Sequence, residues 1–200
     1  MPIVIEESSV TRTPVVRRRQ IGEEMRGLLI RKEQRDRLKK DDRTKEMVPV
    51  IKSNGKPAQE LVLHLLILPG STMPVGLGDE EGMPDAGTVA RLILKGGAFG
   101  QFIDADNTLK PRHVGDVVGV TSTWAQVYNA DGDSVGGKIT DNDEITAARI
   151  KGRNVGIYGG LTIARATPDL AQWVEKCEAA YWSWKNGTAP VLEDGDMFSD

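Results

Sequence analysis

Two hundred residues with 39% apolar side chains, 22 glycines and a formal net charge of −3 suffice for one globular domain with extensions. That glycine content suits a β-rich chain better than a helical bundle. A single cysteine, Cys177, excludes an internal disulfide framework, and the longest apolar run, near Leu61–Leu68, is too short for a membrane-spanning helix.

Taken in order, residues 1–20 carry Pro2, Pro14 and the triplet Arg17-Arg18-Arg19, and are expected to form a basic, flexible N-terminal arm. A binding domain is expected over 21–167. Its first strand, near 21–34, holds Met25, Leu28, Leu29 and Ile30, with Gly22 and Gly27 favouring a long curved strand over a helix. Arg35–Lys45 is a charged turn or loop, and Asn54-Gly55-Lys56-Pro57 is a turn signal. The second strand, 59–68, is the most apolar, and His64 within it is expected as a packed core residue. Leu68–Gly87, rich in proline, glycine and acid, reads as a surface loop.

In the third strand, 88–95, Leu92 and Leu94 alternate with Arg91, Ile93 and Lys95, so period-two geometry puts two cations on one face. Gly96 and Gly97 break it, and Phe99, Phe102 and Ile103 follow at the spacing of a short amphipathic helix. Val117, Val118 and Val120 resume a β-branched run in the fourth strand, 115–127. Asn129–Asn154 is a long acidic connection, and the fifth strand lies near 155–165. Thr167-Pro168-Asp169 opens a helix over 168–186, with Leu170, Trp173, Val174, Cys177, Tyr181 and Trp184 on one face. That face suits docking onto the barrel or onto a second subunit, the second of which would give a homo-oligomer through the C-terminal helix. Residues 187–200 form an acidic flexible tail. The fold class expected is an all-β core with minor α: a five-stranded OB-type barrel with a helix between strands 3 and 4, plus the C-terminal helix.

Charge is unevenly placed. Arg12–Lys45 has thirteen Lys/Arg against six Asp/Glu, whereas Asp79–Glu144 has twelve acids against five bases. The fourteen residues from Gly187 hold four acids and no base. A basic front and an acidic tail point to a polyanionic ligand.

Catalytic and metal motifs fail on inspection. Gly132 to Gly137-Lys138 fits seven positions of the phosphate-loop pattern, but Ile139 stands where a magnesium-holding hydroxyl is needed. An EF-hand frame begun at Asp131 puts Val135 where an oxygen ligand belongs and Asn142 where the closing Glu belongs. His64, His113 and Cys177 make no zinc constellation and no nucleophile–base pair. The expectation is therefore a protein that is not an enzyme and needs no cofactor or metal. A binding surface remains, with Arg31, Arg35, Arg37, Arg91 and Lys95 to track phosphates and Trp124, Tyr128 and Tyr158 to stack on bases.

The phrases NGKPAQELVLHLLIL, VARLILKGG, VGDVVGV and the closing ARATP resemble those of the OB-fold single-stranded DNA-binding proteins of tailed bacteriophages. The likeness covers Ile21–Pro168. It implies sequence-independent, non-catalytic binding of single-stranded DNA in phage replication or recombination, in the host-cell cytoplasm. No basic-then-apolar opening with a small-residue cleavage site argues for another compartment. The ending EDGDMFSD is similar to the acidic tips through which single-strand binders recruit replication proteins, and it implies a partner-binding set of Glu193, Asp194, Asp196, Met197 and Phe198. It departs from the bacterial pattern, which closes on Pro-Phe. The alternatives are a virion structural or adaptor protein using a β barrel for assembly, and an OB module that binds RNA or protein.

Overall fold

The computed structural model of the chain describes residues 13–95 and 116–164. Within them the protein is mostly β, with twelve strands and one helix. The strands are β1 (Val15–Val16), β2 (Glu24–Asp36), β3 (Leu38–Lys40), β4 (Met47–Pro49), β5 (Gln59–Ile67), β6 (Val75–Leu77), β7 (Glu80–Gly82), β8 (Val89–Lys95), β9 (Val117–Thr121), β10 (Trp124–Tyr128), β11 (Asn154–Tyr158) and β12 (Leu161–Ala164). The helix, α1, is Asn142–Ile150.

Eight strands join in the order β12-β9-β2-β5-β8-β1-β6-β7, while β10-β11 and β3-β4 form two-stranded ribbons. All five expected strand regions are present, but twelve strands replace five and no closed barrel appears among the described residues. The surplus has two sources. Short pieces lie in the N-terminal arm (β1) and in the connections (β3-β4, β6-β7), and the fourth and fifth strands each break in two. That break is a shared corner: Val120 faces Leu161 and Trp124 faces Tyr158, so three residues on one side span two on the other. The extra residue is a bulge, which bends a paired ribbon sharply. Gly159 permits the corner, because a Cβ there would collide with the Thr121 carbonyl oxygen.

A second bulge shapes β2. Leu29 faces Leu65 but Arg31 faces His64, leaving Ile30 as the extra residue. Because side chains alternate, the bulge inverts parity along the strand. Met25 and Leu29 enter the main core with Leu61, Leu63 and Leu65 of β5, Leu92 and Leu94 of β8, and Val118 and Val120 of β9. Beyond Ile30, Arg31, Glu33 and Arg35 turn to the opposite face. Each fully buried leucine of this core stabilises the fold by roughly 1.5–3 kcal/mol relative to an exposed one.

The acidic connection expected over Asn129–Asn154 contains structure. Residues 134–139 run back along β10, with bridges Tyr128–Ser134 and Ala125–Ile139, so the stretch matching the phosphate-loop pattern begins in a turn at Gly132 and continues beside a strand. Helix α1 follows. Asp141 caps it, its carboxylate accepting from the Asp143 amide at 2.7 Å and the Glu144 amide at 3.3 Å. Ile145 buries against Ala125 and Ile157, so α1 packs on one face of the β10-β11 ribbon.

The described part of the expected N-terminal arm carries β1, which pairs with β6 and with β8. Arg17 donates to the Gly78 carbonyl at 3.2 Å, and Arg19 grips Glu81 in a bidentate pair. The expected helix between the third and fourth strands, the C-terminal helix over 168–186 and the tail over 187–200 lie outside the described residues. No helix among the described residues is long and apolar enough to cross a membrane.

Candidate nucleic-acid interface

Strands β2, β5 and β8 lie side by side, and their register lines up three rows on one face. Arg31 faces His64, which faces Arg91; Glu33 faces Val62, which faces Ile93; Arg35 faces Glu60, which faces Lys95. Four of the five cations read from the sequence thus converge on one face of three adjacent strands. Arg37 does not belong to the rows. It follows β2 with its amide donating to the Ala58 carbonyl, and it opens the β3-β4 ribbon.

Two carboxylates thread these cations. Arg31 lies 3.0 Å from Glu33, Glu33 lies 3.8 Å from Arg35, Arg35 lies 2.8 Å from Glu60, and Glu60 lies 3.7 Å from Lys95. The result is a ladder of alternating sign, Arg31–Glu33–Arg35–Glu60–Lys95, with Arg91 beside it. Glu60 is the buried rung at 8% side-chain exposure, whereas Arg35 and Lys95 are 43% and 47% exposed. With four cations, two carboxylates and a neutral His64, the face stays positive by two charges. Sequence reading found the cations but not the carboxylates among them. The signal was present in the matching alternation of Arg31, Glu33 and Arg35, but only the cross-strand register pairs Glu60 with Arg35.

His64 sits inside the rows at 2% exposure, its Nε2 3.6 Å from a Glu33 carboxylate oxygen. Burial pushes the imidazole down to about 4, with Glu33 opposing and Arg31 and Arg91 adding to the fall. It is therefore neutral at pH 7. Arg91 is also structural in part, since its Nε donates to the Thr13 carbonyl at 3.1 Å and so ties the start of β1 to β8.

The three expected stackers meet on the β10-β11 ribbon, on the face turned away from α1. Trp124 and Tyr158 are cross-strand partners, stacked with ring centroids 4.5 Å apart. The Tyr128 and Tyr158 hydroxyls hydrogen-bond at 2.7 Å. Gly156, opposite Gln126, leaves room for both phenol rings, since a Cβ there would press on each. Burial, reinforced by the Tyr128 hydrogen bond, pushes the Tyr158 phenol up to about 12. Lys138 reaches over Trp124, its Nζ 5.8 Å from the ring centroid. Three rings therefore line this ribbon with a cation over one of them, and Tyr158 stays 37% exposed.

The rings and the cationic rows are not one patch. Glu24 of β2 faces Thr121, and Arg31 lies seven residues further along the strand, roughly 23 Å of contour at strand rise. A ligand touching both must be extended.

A third element escaped the sequence reading. The β3-β4 ribbon and its flanks, residues 37–56, hold seven Lys/Arg against three Asp/Glu and are almost wholly exposed. Leu38 pairs with Pro49 and Lys40 with Met47, so Leu38 and Met47 share a face, 48% and 59% exposed. Runs of charge with turn residues made a loop the natural reading, and the ribbon's three-residue strands are too short for periodicity to reveal. The tail residues Glu193, Asp194, Asp196, Met197 and Phe198 lie outside the described residues.

No protein-family model matches the chain, and comparison with curated proteins and with solved structures also gives no match.

Proposed function

We propose that this protein binds single-stranded DNA without catalysis and with little regard to sequence, in support of phage DNA replication or recombination. The observation that carries the reading is the convergence of Arg31, Arg35, Arg91 and Lys95 on one face of β2, β5 and β8. Cations at strand spacing suit a flexible polyanion, because successive phosphates can each find a partner without base contacts.

Two further features support it. Counting the five expected strand regions in chain order, the neighbours run fifth, fourth, first, second, third. That is the strand order of an OB barrel opened between its third and fifth strands. The Trp124–Tyr158–Tyr128 set adds π faces for bases at a distance that an extended strand can cover. The acidic segment 187–200 would serve as a handle for replication or recombination proteins.

The test is fluorescence anisotropy of a labelled thirty-mer oligonucleotide with the full chain at two salt concentrations. Binding that weakens steeply with salt and differs little among sequences is expected. No binding at low salt would overturn the reading and favour an assembly role in a virion.

A further inference from the structure

The carboxylates of the charge ladder have no place in a surface built only to attract phosphate. Glu60 faces Arg35 on one neighbouring strand and Lys95 on the other, and it is held between them as the least exposed charged group of the ladder. Glu33 stands likewise between Arg31 and Arg35 along β2. Arg31 and Arg35 on β2 and Arg91 and Lys95 on β8 share one face across the intervening β5, and their mutual repulsion costs the sheet stability. Carboxylates set among them remove that cost in the unliganded protein and hold the long side chains in place. They also occupy the positions on Arg35 and Lys95 that a phosphate oxygen would take, since a carboxylate and a phosphate compete for the same donors.

We propose that Glu33 and Glu60 are built-in competitors for the nucleic-acid backbone: they keep the cations arrayed in the free protein and are displaced from them by phosphate, setting affinity below what the cations alone would give. The inference rests on the proposed single-strand binding and assigns to that surface two residues that tune it. Phosphate wins the exchange because Arg35 and Lys95 are nearly half exposed, where a mobile anion can approach, and because each phosphate bound releases counterions from the DNA. Glu60, buried and fixed, cannot follow them. The consequence is a surface that releases its ligand readily, since the carboxylates reclaim the cations as each phosphate leaves.

The experiment compares the full-length protein with Glu60→Gln, Glu33→Gln and Glu81→Gln in oligonucleotide binding across a salt series. Glutamine keeps the shape and removes the charge. Glu81 is the control: its loss raises net charge by the same unit, but its partner is Arg19, outside the ladder. Glu60→Gln and Glu33→Gln are each expected to bind about threefold to tenfold more tightly at low salt, with a salt slope steeper by about 0.7 for each additional phosphate neutralised. Glu81→Gln should stay near the unmutated protein. Should the buried Glu60→Gln fail to fold by circular dichroism, the more exposed Glu33→Gln decides alone. Unchanged or weaker binding in the ladder variants, or equal tightening in Glu81→Gln, would overturn the inference while leaving single-strand binding intact. Absence of binding by the unmutated protein would remove both.

Discussion

The Tyr158 ring lies on the Trp124 indole, centroids 4.5 Å apart and planes 23° from parallel, across a ribbon whose two strands begin thirty residues apart in sequence. The pair covers part of each ring, so a base has to stack on the outer surface of the pair and not between its members. Replacing Trp124 or Tyr158 by Ala is expected to weaken oligonucleotide binding by roughly 1–3 kcal/mol. Addition of poly(dT) should quench tryptophan fluorescence in the unmutated protein, and the quench should shrink in Trp124→Phe. Full affinity in both alanine variants would make the stack a packing feature of the ribbon.

Lys95 and Arg91 sit on the same strand face but answer differently to mutation. Lys95 ends β8 with its ammonium half exposed, so Lys95→Ala should lower affinity for all sequences alike and shallow the salt slope by about 0.7. Arg91 also ties the start of β1 to β8 through the Thr13 carbonyl. Arg91→Ala should therefore lower the melting temperature as well as the affinity, whereas Lys95→Ala should leave melting nearly unchanged. Thermal melts alongside anisotropy separate the two.

His64 makes stability depend on pH in a defined window. Its folded-state value, about 4, lies below the 6.5 of the unfolded chain, so the unfolded state takes up the proton first. The contribution is complete above 6.5 and is lost as pH falls towards 4, at a limit of about 1.4 kcal/mol per pH unit. Urea midpoints measured at pH 7 and pH 5 should differ in the unmutated protein by more than in His64→Gln. Equal pH dependence in the two would show that another group carries the acid sensitivity.

The corner between β9-β12 and β10-β11 depends on Gly159. A Cβ there has nowhere to go, because the obstacle is the Thr121 carbonyl and not the end of a flexible side chain. Gly159→Ala is expected to destabilise the protein by a few kcal/mol, on the order of other overpacked sites. The neighbouring Gly160 meets only the Thr121 hydroxyl, at 3.0 Å, and should tolerate alanine better. Melting temperatures that fall equally in the two variants would contradict this account of the corner.

Much of the fold was legible from local pattern. Alternating Leu92 and Leu94 against Arg91 and Lys95 defined the two faces of β8, because side-chain period in a strand is a local property. The apolar run Leu61–Leu68 marked β5, and the β-branched residues marked β9. The nine-residue helix α1 also had a signal, Asp141 followed three residues later by Glu144, although its single buried residue, Ile145, made no periodic stripe. What alternation could not reveal was the bulge at Ile30. Continued period-two counting would have put Arg31, Glu33 and Arg35 on the face of Met25 and Leu29. The extra residue turns them to the other side, and it exists only in the register between β2 and β5, strands joined by a twenty-two-residue excursion.

Strand-forming segments, the main apolar positions and the identity of the charged and aromatic side chains were all written in the chain, since they follow from the chemistry and spacing of near neighbours. Folding in three dimensions was needed to stand Glu60 between Arg35 and Lys95 and to bring Trp124 against Tyr158. These partners belong to different strands, and register between strands is set by the combined burial of every pair along them together with the bulges that shift it. A charge's partner across a sheet is therefore a property of the whole fold.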